Sequence, residues 1–209
     1  MAINGVDVHA DKGDVDWDKV RAAGCEFAIV KATEGQGFRD ARFTRARWSA
    51  MKSAGIVRGA YHFARPSNGS SDPVGEARDF LAAVDAVGGL RSGDLPLALD
   101  LEATTLGPRD TFAWVRRFVR AIKRATGRAP LLYTSPSFWT DHVGNAEDNL
   151  DCPLWIAHYG VKSPTVPRAW ETYTLWQHSD KGAVAGVAGH VDVDVLHGDR
   201  HLLRRIVMQ

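Results

Sequence analysis

Short apolar runs alternate with segments of helical period through the first two-thirds of this chain, and few architectures accept that rhythm. Residues 3–8 read as a strand, and Asp16 caps a helix that runs through Val20 to Gly24. Phe27-Ala28-Ile29-Val30 has the unbroken apolar character of a strand covered on both faces. Asp40 is expected to start a second helix that buries Phe43, Trp48 and Met51 and stops at Gly55. Residues 56–63 form a third strand. A loop rich in Ser, Gly and Asn then leads to Asp72-Pro73, a cap followed by a first-turn proline. The helix behind it carries Phe80, Leu81 and Val84 and ends at Gly88-Gly89. Residues 95–101 are a fourth strand, 109–126 the longest helix and 129–134 a fifth strand. After that the rhythm changes. Strand-like segments at 154–159, 173–178 and 190–196 are joined by loops, and the link from Gly160 to Trp170 holds Pro164 and Pro167, with no amphipathic helix. Five strand–helix units followed by three strands make eight strands. A regular α/β barrel of eight strands takes about 250 residues, so 209 residues imply an irregular TIM-like α/β barrel with several outer helices missing. No linker or repeat divides the chain, so residues 1–209 are expected to form one domain.

Charge and composition exclude several classes. Lys+Arg number 26 and Asp+Glu 25, so no bulk charge favours nucleic acid. No run of eighteen apolar residues exists, so no membrane insertion is expected. The first residues lack a basic region followed by an apolar stretch, so no signal peptide is visible. Cys25 and Cys152 belong to no CxxC pair and are expected to be buried thiols. The helix at 109–126 has an apolar stripe of Phe112, Val115, Val119 and Ile122, with Arg116, Arg120, Lys123 and Arg124 on a face read as solvated.

The chemistry concentrates where Leu97-Ala98-Leu99-Asp100-Leu101-Glu102 ends in two carboxylates two residues apart. Alternation puts both on one face, which in a parallel barrel points inward at the C-terminal mouth. Two such carboxyls cannot both ionise freely, and a raised Glu beside an ionised Asp suits general acid catalysis. Other polar residues fall at equivalent strand ends: Asp7 and His9, Lys31 and Glu34, Tyr61 and His62, Tyr133, Tyr159, Gln177 and His178, and Asp192 and Asp194. Asp7 and Asp192, on neighbouring first and last strands, are expected to approach each other. His190, Asp192 and Asp194 alternate and offer a metal alternative, yet no HExxH or second histidine cluster accompanies them; no metal or cofactor is expected. No G-x-S-x-G or P-loop occurs, and Gly35-Gln36-Gly37 lacks a third glycine. Trp139, Trp155, Tyr159, Trp170, Tyr173 and Trp176 cluster late in the chain, and those at the mouth are suited to stack on sugars. Carboxylates with aromatics point to a glycosidase.

In order along residues 3–198, the chain resembles the Chalaropsis-type muramidases, glycoside hydrolase family 25. The matching pieces are Gly5-Val6-Asp7-Val8, Val30-Lys31-Ala32-Thr33-Glu34-Gly35, Gly59-Ala60-Tyr61-His62-Phe63, Leu99-Asp100-Leu101-Glu102, Leu132-Tyr133-Thr134, Leu154-Trp155-Ile156-Ala157, Leu175-Trp176-Gln177 and Val191-Asp192-Val193-Asp194. The resemblance implies cleavage of the β-1,4 bond from N-acetylmuramic acid to N-acetylglucosamine in peptidoglycan. It implies Glu102 as general acid/base, Asp100 as the residue orienting the 2-acetamido group, and Asp7 and Asp192 as further acids of the site. Tyr61 and Tyr133 would contact the sugar, with Lys31, Tyr159, Trp176 and Gln177 as further substrate-binding residues. The family often has Asn two residues after its last acid, where this chain has Asp194, so Asp192 and Asp194 both stand as candidates, with Asp192 favoured. A monomeric catalytic domain of host-lysis type is expected, without a separate wall-binding module, made in the cytoplasm and reaching the wall after release or by leaderless export. A chitinase-like hydrolase and a barrel that binds wall glycan without cutting it are the competing readings. Two acids on one strand face also suit substrate assistance, in which the acetamido oxygen of the sugar is the nucleophile.

Overall fold

Seven parallel strands and one antiparallel strand close a barrel in the computed structural model, which describes residues 2–69 and 71–207. The strands are β1 (Ile3–Val8), β2 (Cys25–Glu34), β3 (Phe38–Arg39), β4 (Val57–Phe63), β5 (Ala98–Asp100), β6 (Leu131–Thr134), β7 (Leu154–Ala157), β8 (Leu175–Gly182) and β9 (Val191–Leu196). Around the barrel they run β1-β9-β8-β7-β6-β5-β4-β2, and a β1–β2 pairing closes the ring. β3 lies outside it, folded back on the end of β2. The helices are α1 (Trp17–Ala22), α2 (Arg45–Ser53), α3 (Pro73–Ala86), α4 (Pro108–Thr126), α5 (Pro136–His142) and α6 (Arg200–Ile206).

Period-two alternation builds two apolar layers from these strands. Ile3, Phe27, Ile29, Ala98, Leu131, Leu175 and Leu196 point inward and fill the barrel, and Leu203 of α6 joins them at its base. Gly5 lies among them because a Cβ there would stand 2.3 Å from the Phe27 ring. The alternate residues Val6, Val8, Ala28, Val30, Leu99 and Leu132 point outward, into a layer shared with Trp48, Met51, Phe80, Val115, Phe118 and Ile122 of the helices. Cys25 and Cys152 are both buried free thiols, as expected. Near the base, Arg58 forms a two-pronged ion pair with Asp94 at 2.9 and 3.0 Å, donates to Trp48 O and stacks on the Trp48 ring.

Several expectations need correction. Asp40 does not start α2; Thr44 caps it, accepting from Arg47 N–H. The Asp40 carboxylate instead accepts the backbone N–H groups of Ala10 and Arg42, tying the turn after β1 to the α2 approach. The fourth strand is paired over three residues rather than seven. α5 and α6 were not anticipated, being too short to show a sustained period. The last strand runs against both neighbours, where a parallel barrel was assumed.

Candidate active site

At the mouth, the inward positions turn from apolar to polar. Each inward row ends in chemistry: Ile3–Gly5–Asp7, Phe27–Ile29–Lys31, Ala98–Asp100–Glu102, Leu131–Tyr133 and Leu175–Gln177. β9 enters from the opposite direction, so its first inward residue is the one at the mouth. Asp192 therefore lies there, in register with Asp7, while Asp194 sits one layer deeper. A cavity of about 350 Å³ results, lined by Asp7, His9, Asp11, Lys31, Tyr61, Phe63, Asp100, Glu102, Tyr133, Trp155, Tyr159, Gln177 and Asp192.

Hydrogen bonds organise this floor. Tyr133 and Tyr159 both donate to Gln177 Oε1, at 2.8 and 2.5 Å, and Gln177 Nε2 donates to Asp7 Oδ2 at 2.6 Å. Beneath them Trp155 Nε1 donates to Asp194 Oδ1 at 2.8 Å. On the opposite wall Glu34 bridges two cations, accepting from Lys31 Nζ at 2.5 Å and from Arg65 Nε at 2.8 Å. The Lys31 ammonium stands 4.8 Å from the Phe63 ring centre. Two buried acceptors receive no hydrogen bond from any described residue: Asp194 Oδ2, in the deeper layer, and Asp100 Oδ1, at the cavity.

Burial dominates the electrostatics. It pushes the Asp100 carboxyl well above its ordinary range, and the Glu102 charge pushes the same way. Glu102 meets solvent at the rim but is recessed among protein groups. Its carboxyl is raised by that desolvation and then by the Asp192 charge, with Arg65 and Lys31 opposing. Asp7 is raised well above its ordinary range by burial, then by Asp194 and Asp192. Burial pushes Asp194 up to about 7. The expectation of a raised Glu beside an ionised Asp is thus half right. Both carboxyls are raised, and the deeper Asp100 strongly so, because β5 carries it inside the barrel.

Of the ten residues expected in the site, nine line this cavity: Glu102, Asp100, Asp7, Asp192, Tyr61, Tyr133, Lys31, Tyr159 and Gln177. Trp176 does not. It neighbours Gln177 on β8, so alternation turns it to the outer face, where its Nε1 donates to His158 O and its ring meets Tyr173 and His178. His62 likewise points outward, buried between Thr33 Oγ1 and Glu76 Oε2, each at 2.8 Å. The sequence reading missed Phe63, Asp11 and Arg65. Phe63 shares the alternation of Tyr61 and was within reach of that argument. Asp11 and Arg65 stand in loops, where no periodicity applies. His190 is exposed and Asp194 buried, and among the described residues no three His, Cys, Asp or Glu side chains gather as metal ligands.

A closed barrel with carboxyls, tyrosines and an amide gathered at one mouth has the architecture of a glycoside hydrolase. The sequence of residues 6–187 matches the model of glycosyl hydrolases family 25. Lysozyme M1 of Streptomyces globisporus is 38% identical over 204 residues, covering 94% of this chain and 68% of that protein. The N,O-diacetylmuramidase of Chalaropsis sp is 34% identical over 198 residues, covering 88% of this chain and 91% of its own. The solved bacterial lysozyme of Streptomyces coelicolor superposes with a TM-score of 0.90 at 35% identity, covering 99% of this chain and 97% of that one. The chain belongs to glycosyl hydrolases family 25.

Proposed function

We propose that this enzyme is a peptidoglycan N-acetylmuramidase that hydrolyses the β-1,4 bond from N-acetylmuramic acid to N-acetylglucosamine. The names of its relatives support this reading, and the observation that carries the mechanism is the unpartnered Asp100 Oδ1 beside Glu102. A buried acceptor without a donor is costly, and a substrate acetamido N–H removes that cost. Accepting this bond also favours the Asp100 carboxylate, against the upward push of burial. Held this way, the acetamido carbonyl oxygen faces the anomeric carbon and attacks it. Glu102, its proton retained by its raised pKa, delivers that proton to the bridging oxygen as the bond breaks. Glu102 then takes a proton from the water that opens the cyclic intermediate. Substrate assistance of this kind leaves the new reducing end in the β configuration. The Asp7–Gln177–Tyr133 chain fixes the wall against which the sugar rests. The substrate lies outside the cytoplasm, reached on release at host lysis, and the barrel acts as a monomer.

Mass spectrometry of digested peptidoglycan tests the bond cut. Fragments ending in reducing muramic acid are expected; reducing N-acetylglucosamine ends, or release from chitin instead of walls, would overturn the assignment. Early-turnover NMR should show the β-anomer first. Initial α-anomer would remove substrate assistance and give the base role to Asp7 or Asp192. Glu102→Gln should lower wall hydrolysis by roughly 10²–10⁴-fold with an unchanged melting temperature, since an amide cannot donate that proton. A folded variant keeping half its activity would refute the role.

A further inference from the structure

Glu102 belongs to two cavities. One is the polar cavity already described; the other, of about 550 Å³, shares Glu102 with it and is lined also by Arg65, Pro66, Thr104, Phe138 and His142 among others. Among the described residues, Glu102 is the one that lines both. The second cavity differs in chemistry: among the described residues it has one carboxyl, that of Glu102, and one guanidinium, that of Arg65, on a mostly apolar surface. It is also built rigidly. The loop after β4 is tied to the loop after β5, where Thr105 N–H and Thr104 Oγ1 both donate to Pro66 O, at 3.0 and 3.3 Å. Phe138 is fixed from α5, whose cap Ser135 Oγ accepts the Phe138 N–H at 3.1 Å. The Phe138 and His142 rings lie 4.8 Å apart, tilted by 32°.

A general acid sits at the bond it cleaves. The sugar that gains positive charge at its anomeric carbon needs the carboxyl-rich side, which is the polar cavity. The bridging oxygen takes the Glu102 proton and departs as the hydroxyl of the other sugar, so that sugar lies across Glu102. We propose that the second cavity is the leaving-group subsite, where Phe138 offers its ring to the C–H face of the departing N-acetylhexosamine and His142 borders it. The proposal rests on the muramidase reading and adds residues from α5 to it. A neutral sugar whose bond to its own ring is not reacting needs shape and apolar contact, and this lining supplies both, with Arg65 beside them engaged by Glu34.

Two experiments test it. A Glu102→Gln protein, which holds substrate without turnover, is titrated with a wall tetrasaccharide of alternating N-acetylglucosamine and N-acetylmuramic acid while side-chain NMR signals are followed. Signals of Phe138 and His142 should move together with those of Tyr133. The product disaccharide ending in muramic acid should move Tyr133 alone. A tetrasaccharide that shifts Tyr133 and leaves Phe138 and His142 untouched would overturn the subsite while leaving the muramidase reading intact. One that shifts neither set would remove both. In the active enzyme, Phe138→Leu keeps the apolar volume and His142→Ala changes an exposed residue. Each should lower kcat/KM on wall glycan by roughly 3–10-fold, the loss of one ring contact. The pH profile should keep its shape, because the ionisation of Glu102 is untouched. Full kcat/KM in both variants, or a displaced pH profile, would refute the proposal.

Discussion

Asp194 does not line the cavity, yet it is one of three buried acids that make stability depend on pH. Its carboxyl, pushed up to about 7 by burial, keeps a proton that an unfolded aspartate releases near pH 4. Between those values the folded protein binds more protons than the unfolded one, so stability falls as pH rises from about 4 to about 7. Asp7 and Asp100 are shifted in the same direction and steepen the fall. Asp194→Asn keeps an acceptor for Trp155 Nε1 and carries no charge. Calorimetry should show it melting higher than the parent at pH 7.5, with a flatter dependence between pH 4 and 7; an unchanged slope would clear Asp194 of the effect. Activity has its own pH control in Glu102. As the acid it must be protonated, so kcat/KM falls as pH rises through its elevated pKa. Burial is the larger cause of that elevation and the Asp192 charge the next. Asp192→Asn should therefore move the alkaline limb of the pH–rate profile to lower pH, and a limb that stays in place would contradict the coupling.

Among the elements, β9 separates what the sequence makes legible from what it hides. Alternation identified its inward residues, as it did Asp7 on β1, Asp100 on β5 and Gln177 on β8, because each apolar row ends in a polar side chain. Alternation is blind to direction, however, and direction decides which of Asp192 and Asp194 reaches the mouth. The link between β8 and β9 carried the missing information. A parallel return needs a crossover of a dozen residues or more, and residues 183–190 are too few. Loop residues such as Arg65 had no comparable signal, since their placement depends on tertiary ties: its guanidinium reaches Glu34 at the end of the neighbouring strand β2. The same strand geometry bears on metals. With His190 exposed, Asp192 at the mouth and Asp194 beneath it, these three do not converge. Lytic activity should persist in EDTA; loss on chelation with rescue by zinc or manganese would reverse that conclusion. At the base, Arg58 on β4 and Asp94 before β5 are both buried. Asp94→Ala leaves the guanidinium without its counter-charge and should cost about 3–5 kcal/mol in denaturant unfolding. Turnover per folded molecule should not change, since the pair lies away from the mouth.

At the scale of the whole molecule, the barrel is sealed by its last strand. Ile3 pairs with Leu196 and Asp7 with Asp192, so β9 fills the gap between β1 and β8 and joins the two extremes of the chain. Until it does so, β1 and β8 are open edges and the apolar interior has no cover. The strand also brings Asp192 to the mouth and Asp194 to the Trp155 indole. Completion of the fold and assembly of the cavity are therefore one event. Such long-range pairing comes late in folding, because the intervening loop must be closed first. Without β9, Asp100 and Glu102 stand in an unfinished wall. A partly folded molecule is thereby inert as a hydrolase until its last barrel strand is in place.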